Sequence, residues 1–159
     1  MFDSDKQKRI MGQFATGVTV ASTRLGDETW GMTANAFTSL SLDPPLVALC
    51  IVRDSQSHAK FKEGGCFAIN ILAAEDEEIS NRFAFKGPKD FSDLPTLTGE
   101  TGAPILQSAI GWVDCRTVEI VAGGDHDIFI GEIVAGEVGQ GDPLMYFQGK
   151  YRSLGASSD

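Results

Sequence analysis

The chain has 159 residues, 42% of them apolar, and a formal net charge of −9. That length and composition predict one domain, residues 1–159, with a core that needs no covalent staple. The acidic balance excludes a nucleic-acid groove, which requires clustered Lys and Arg; a phosphate-bearing small molecule would have to rely on backbone N–H groups, hydroxyls and one or two local cations.

In chain order, Ser4 and Gln7 fit a capping box that opens a short helix, with Ile10 and Phe14 on one face. Residues 16–23 are rich in β-branched side chains and predict a strand. A turn at 25–28 leads to a second strand from Thr29. That strand runs into segment 31–45, Gly-Met-Thr-Ala-Asn-Ala-Phe-Thr-Ser-Leu-Ser-Leu-Asp-Pro-Pro. Pro44 and Pro45 should stop it. Residues 46–52 are apolar without alternation, as in a strand covered on both faces. A break at 53–57 precedes a helix over 57–62, with Phe61 as its inward anchor and Gly64-Gly65 as its end. Residues 66–72 predict a strand. Acidic residues 75–78 then load the first turn of another helix, with Ile79, Phe83 and Phe85 as its buried stripe.

Residues 86–104 are rich in Pro, Gly and Thr and read as a long loop, of the kind that serves function or contacts another subunit. A long strand follows over 109–121, with Trp112 and Val113 on opposite faces and Asp114 and Arg116 continuing on the Trp112 side. A tight turn at 123–127, strands at 128–138 and 144–147, and a closing Lys150-Tyr151-Arg152 complete the fold, followed by a loose Ser-rich tail. Strands dominate, and an antiparallel barrel with short peripheral helices removes their free edges.

Cys50, Cys66 and Cys115 lie in apolar runs and read as buried hydrophobes of a reducing compartment. With only two histidines and no CxxC, a zinc site is not expected. The N-terminus lacks the apolar core of a signal peptide, and the longest apolar run is too short for a bilayer. The expectation is a cytoplasmic protein that binds neither membrane nor nucleic acid.

Three stretches could carry chemistry. Segment 31–45 is hydroxyl-rich and poor in charge between apolar strands; its polar groups must bond either to the fold or to a polar ligand. Segment 53–60 joins a buried strand to a helix start, where free N–H groups, Ser55, Ser57, Arg53 and Lys60 would suit a phosphate; taken alone, the stretch is better read as Ser55 or Ser57 capping the helix. In Gly123-Gly124-Asp125-His126-Asp127 an imidazole lies between two carboxylates and can hold a proton near neutral pH or bond an amide; an ordinary hairpin turn has the same composition.

Taken together and in order, segment 31–45, the Ser55-Gln56-Ser57-His58 turn, Thr98-Gly99-Glu100-Thr101-Gly102-Ala103-Pro104 and Gly124-Asp125-His126-Asp127-Ile128-Phe129-Ile130-Gly131-Glu132 resemble the short-chain flavin reductases, the reductase components of two-component flavin-dependent monooxygenases. The resemblance runs from Phe14 to Tyr151. It implies a mainly β, antiparallel, Greek-key-like split barrel, a homodimer, FMN or FAD as the flavin, and NADH or NADPH as reductant. By motif it places Thr33, Ala34, Asn35, Ala36 and Ser39 along the flavin, with backbone groups of Cys50, Ile51 and Val52. Ser55, Ser57 and His58 fall at its phosphate, Phe83 and Phe85 beside it, His126 at the nicotinamide and Tyr151 at the pocket border. Ala36 stands where a serine is also common. Hydride transfer asks for the nicotinamide C4 about 3–3.5 Å from flavin N5, and for backbone donors near the flavin N1 and O2. No nucleophile or essential general base is expected. The alternatives are a flavoprotein that keeps its flavin and passes electrons to oxygen, iron or a protein, and a flavin- or haem-binding module without turnover.

Overall fold

The computed structural model describes residues 1–85 and 88–155. Its elements are helices α1 (Ser4–Met11), α2 (Gln56–Gly64) and α3 (Glu77–Ala84). The strands up to the first long one are β1 (Thr16–Gly17), β2 (Thr19–Leu25), β3 (Glu28–Ala34), β4 (Phe37–Leu42), β5 (Pro45–Val52) and β6 (Cys66–Ile71). They continue as β7 (Thr96–Thr98), β8 (Pro104–Leu106), β9 (Gly111–Gly123), β10 (His126–Val138), β11 (Met145–Phe147) and β12 (Lys150–Arg152).

Seven strands form one antiparallel ladder in the order β3-β2-β6-β9-β10-β5-β4. Its two end strands, β3 and β4, are consecutive in the chain and joined only by Asn35 and Ala36, so the sheet must curl back on itself. Inside the curl, Leu49, Ile51, Phe61, Phe67, Ile69 and Phe129 pack as one buried cluster. Five of these come from strands and one, Phe61, from α2, which closes the end of the sheet. A second cluster, with Val18, Val20, Leu72, Phe83, Phe91 and Leu144, lies under α3. A small sheet β1-β11-β12 and the hairpin β7-β8 complete the strands.

Several expectations are corrected. The cap of α1 is Asp3, whose Oδ1 accepts from the Lys6 N–H at 2.6 Å, and Ser4 is the first helical residue. α1 buries none of its residues, and Ile10 and Phe14 are exposed. Phe85 lies beyond the end of α3 and is exposed, so the buried stripe stops at Phe83. Pro45 does not end a strand but begins β5, paired with Leu42; a first position asks least of a residue without an N–H. The presumed loop contains β7 and the start of β8, where Asp114, wholly buried, accepts from the backbone N–H and the hydroxyl of Thr101 at 2.8 and 2.6 Å. Residues 86 and 87 of that stretch, and 156–159 of the Ser-rich tail, lie outside the described residues.

The long hairpin β9-β10 carries register shifts at Ile130/Gly131 and Ile133/Ala135. Gly131 is needed there for space: a Cβ would stand 2.5 Å from the Phe67 ring and 2.8 Å from the Cβ of Cys115. Gly131→Ala should therefore cost about 1–3 kcal/mol of stability through overpacking, read as a lower urea midpoint with an unchanged m-value.

Candidate functional site

The site is built on the last residues of β3. Thr33, one residue before the end of β3, faces α3, and its Oγ1 donates to the carbonyl of Ser80 at 2.6 Å. Two cavities meet along this contact, and Thr33, Ala84 and Phe85 line both. The smaller, about 400 Å³, lies between Ala34 and Asn35 on one side, Ser80 and Asn81 of α3 on another, and Tyr146, Lys150 and Tyr151 on the third. The larger, about 630 Å³, runs past Trp30 and Met32 to Ile51 and Val52 and ends at Ser55, Gln56 and Ser57.

The wall shared by the cavities is the last turn of α3, and it is tied down tightly. The Lys89 ammonium donates to the carbonyls of Arg82, Phe83 and Phe85, capping the helix C-terminus. Burial pushes the Lys89 ammonium down from the ordinary lysine range. Phe83 stacks on Phe91 with ring centroids 4.7 Å apart. Both rings lie over Gly31, where a Cβ would come within 2.7 Å of Phe91 and 2.8 Å of Phe83. Arg82 reaches both carboxylate oxygens of Asp93 at 2.8 and 2.7 Å, and that bond raises its pKa further.

Beyond the larger cavity sits a charged cluster. Asp127 accepts from Arg53 Nε at 2.6 Å and pairs with His58 Nε2 at 2.8 Å. The bond from Arg53, then that from His58, holds the Asp127 carboxyl below the usual range. His126 is the cross-strand partner of Val52, and its Nδ1 lies 2.7 Å from Asp125 Oδ1, which lowers the Asp125 pKa.

Of the sequence-identified residues, Thr33, Ala34, Asn35, Ile51, Val52, Ser55, Ser57, Phe83, Phe85 and Tyr151 line one cavity or both. Tyr151 is fixed there by hydrogen bonds to Ser80 Oγ at 2.7 Å and Asn81 Oδ1 at 3.2 Å. Five residues stand outside the linings. The Ala36 carbonyl accepts the Cys50 N–H at 3.0 Å, so that amide is spent inside the fold. Ser39 is exposed on the edge strand β4. The His58 side chain is turned to Asp127, and only its N–H serves the helix start. His126 stands one strand beyond the rim.

Trp30, Met32, Ser80, Asn81, Ala84, Lys89, Tyr146 and Lys150 were not singled out from sequence. Ser80, Phe83 and Ala84 share helical i, i+3, i+4 spacing, which marks one face of α3. Lys89 has no such signal, because its role depends on where the loop folds. Among the described residues there is no group of three or more His, Cys, Asp or Glu that could hold a metal ion, and no helix is long and apolar enough to cross a membrane.

Residues 11–155 match the model of the flavin reductase like domain. The chain belongs to that family. The reductase component of a 4-nitrophenol 4-monooxygenase/4-nitrocatechol 2-monooxygenase from Rhodococcus opacus is 33% identical over 149 residues, covering 94% of this chain and 80% of that protein. The reductase component of a flavin-dependent trigonelline monooxygenase from Acinetobacter baylyi is 40% identical over 152 residues, 92% of this chain but 48% of that protein. The chain thus spans about half the length of that relative. Among solved structures, a Streptomyces globisporus NADH:FAD oxidoreductase in complex with NAD and FAD fragments superposes with a TM-score of 0.92 at 34% identity, covering 99% of this chain and 96% of that one.

The residues present suit a flavin nucleotide. A planar tricyclic ring with a phosphorylated tail needs an elongated trough that is apolar along its length and polar at one end. The two adjoining cavities offer that: aromatic and aliphatic walls at Met32, Ile51, Phe83 and Phe85, and a helix N-terminus with hydroxyls at α2.

The acid side of the pH–stability profile should report the Asp127 cluster. Its native pKa lies below that of the unfolded chain, so its contribution is present above the ordinary carboxylate value, about 4, and is lost as pH falls through the native value. Thermal melts from pH 2.5 to 6 should show a shallower acid limb for Asp127→Asn than for the parent protein.

Proposed function

We propose that this chain is an NAD(P)H-dependent flavin reductase that supplies reduced FMN or FAD to a partner monooxygenase. The observation that carries the reading is the trough along β3 that ends on the α2 N-terminus, in a chain of the flavin reductase family. The naming of one relative as a monooxygenase reductase component, and of a similar structure as an NADH:FAD oxidoreductase, supports the partner and the reductant.

A bound flavin supplies the acceptor atom for a hydride from reduced nicotinamide. The protein's task is placement. Ala34 and Ala36 are short enough to let a ring approach the β3–β4 connection, with Thr33 and Asn35 beside it and Ser39 further along. Ile51 and Val52 line the larger cavity beyond Cys50. Ser57 belongs to the phosphate end, at the helix start that Ser55 caps by accepting the His58 N–H. Phe83 and Phe85 cover the trough, and Tyr151 borders its other end. His126 is assigned to the nicotinamide. With Nδ1–H donated to Asp125, Nε2 is left as an acceptor, which suits a carboxamide NH₂. No residue is asked to act as a nucleophile.

The reading takes residues 1–159 as one domain, working in the cytoplasm and as a homodimer. Three free cysteines support the compartment. The exposed Ile10, Met11 and Phe14 at the N-terminal end, and Leu40 and Leu42 on the edge strand β4, support a second copy as cover.

Oxidation of NADH and NADPH followed at 340 nm with FMN, FAD and riboflavin in turn tests the activity. Turnover that depends on added flavin supports the proposal. A flavin that survives gel filtration favours the bound-flavoprotein alternative, and unchanged absorbance with every flavin favours the non-catalytic module. His126→Ala should raise the nicotinamide KM about five- to tenfold, the loss expected for one hydrogen bond; an unchanged KM and flavin-reduction rate would remove His126 from the site. Light scattering on the eluted protein should give twice the 17.0 kDa chain mass.

A further inference from the structure

The two serines at the start of α2 differ in what their hydroxyls are free to do. Ser55 caps the helix: its Oγ accepts from the His58 N–H at 3.1 Å and donates to the Val52 carbonyl at 2.7 Å. Its single hydrogen is therefore committed within the turn. Ser57 accepts from the indole Nε1–H of Trp30 at 2.9 Å. An indole nitrogen is a donor only, and a hydroxyl has one hydrogen and two lone pairs. The contact thus has one possible polarity, and the Ser57 hydrogen is left to donate elsewhere. Among the described residues no acceptor bonds to it, and Ser57 lines the larger cavity.

Trp30 is held for this task. It lies on β3 opposite Thr23 of β2, and the Lys60 ammonium sits 5.6 Å from its ring centroid while bonded to both oxygens of Glu28 at 2.8 Å. The indole is thus fixed from the strand side and from α2. A group that only accepts hydrogen bonds, such as a phosphoryl oxygen, is the natural partner for a hydroxyl presented in this way.

We propose that Trp30 is a positioning residue that presents the Ser57 hydroxyl as a dedicated donor to the phosphoryl group of a flavin nucleotide, while Ser55 serves only to cap the helix. The proposal rests on the reading of the trough as a flavin site. It assigns discrimination between phosphorylated and unphosphorylated flavin to one indole–hydroxyl pair.

The test is titration of FMN and riboflavin by flavin fluorescence quenching, without nicotinamide, on the full chain. Trp30→Phe should raise the FMN dissociation constant about tenfold, the loss of one charge-assisted hydrogen bond, and leave that of riboflavin within about twofold. Ser57→Ala should reproduce this loss, and the double variant should be no worse than Ser57→Ala alone. Ser55→Ala should lower the melting temperature while leaving the FMN-to-riboflavin ratio unchanged. Equal weakening of both flavins by Trp30→Phe would overturn the proposal, because the ring would then act as wall. So would a Ser57→Ala variant with the parent ratio, which decides the matter even where Trp30→Phe does not fold. Parent protein that binds the two flavins equally overturns the phosphoryl contact alone; binding of neither overturns the flavin reading as well.

Discussion

The close approach of α3 to β3 is the constraint on which the rest of the site depends. It requires that Gly31 have no side chain, since the Phe83 and Phe91 rings occupy the place of its Cβ. It is fixed by the Thr33 hydroxyl on the Ser80 carbonyl and by the Gly31 N–H on the Lys89 carbonyl at 2.8 Å. With α3 so placed, its last turn divides the space over the sheet into two adjoining cavities. A helix one side chain further out would leave an open groove, with water on both faces of anything bound there. A strand rather than a loop at this position also matters, because β3 is paired along its length with β2 and cannot drift.

The acidic character of the chain is managed locally. Around the larger cavity Arg53, Lys60 and Lys89 are each already engaged: Arg53 with Asp127, Lys60 with Glu28, Lys89 with three carbonyls. None stands as a bare cation. Their fields are partly neutralised, so the directed donors, the α2 amides and the Ser57 hydroxyl, decide where an anion sits. Such a site gains orientation rather than strong electrostatic attraction.

Much of this could be read from the residues themselves. The strands at 46–52, 66–72 and 128–138 were legible because their apolar content exceeds what any loop carries, and the α2 end because Gly65 takes the left-handed conformation expected of it (φ 64°). The start of α1 was not, because Asp3 and Ser4 are both good caps and only the backbone decides between them. Ile10 stays exposed on α1 and Phe14 lies beyond its end, so the pair forms no buried stripe. The missed hairpin β7-β8 depends on Asp114, a buried carboxylate far along the chain that satisfies Thr101; no local pattern announces it. Lys89 and Trp30 were missed for the same reason. Their roles lie in hydrogen bonds to segments distant in sequence, and lysine or tryptophan in isolation signals neither.

The placement of His126 shows how a short motif acquires meaning from register. In sequence it lies between two carboxylates with nothing to rank them. In the sheet, neighbours on a strand point to opposite faces, so Asp127 is turned to Arg53 and His58 at the start of α2, while Asp125 in the turn is left to His126. One carboxylate therefore ties β10 to the start of α2 and the other orients the imidazole. The pairing of His126 with Val52 brings that imidazole next to the rim of the larger cavity without making it part of the wall. A group in that position faces the rim, while the wall itself is made by β3, β5, α3 and the start of α2.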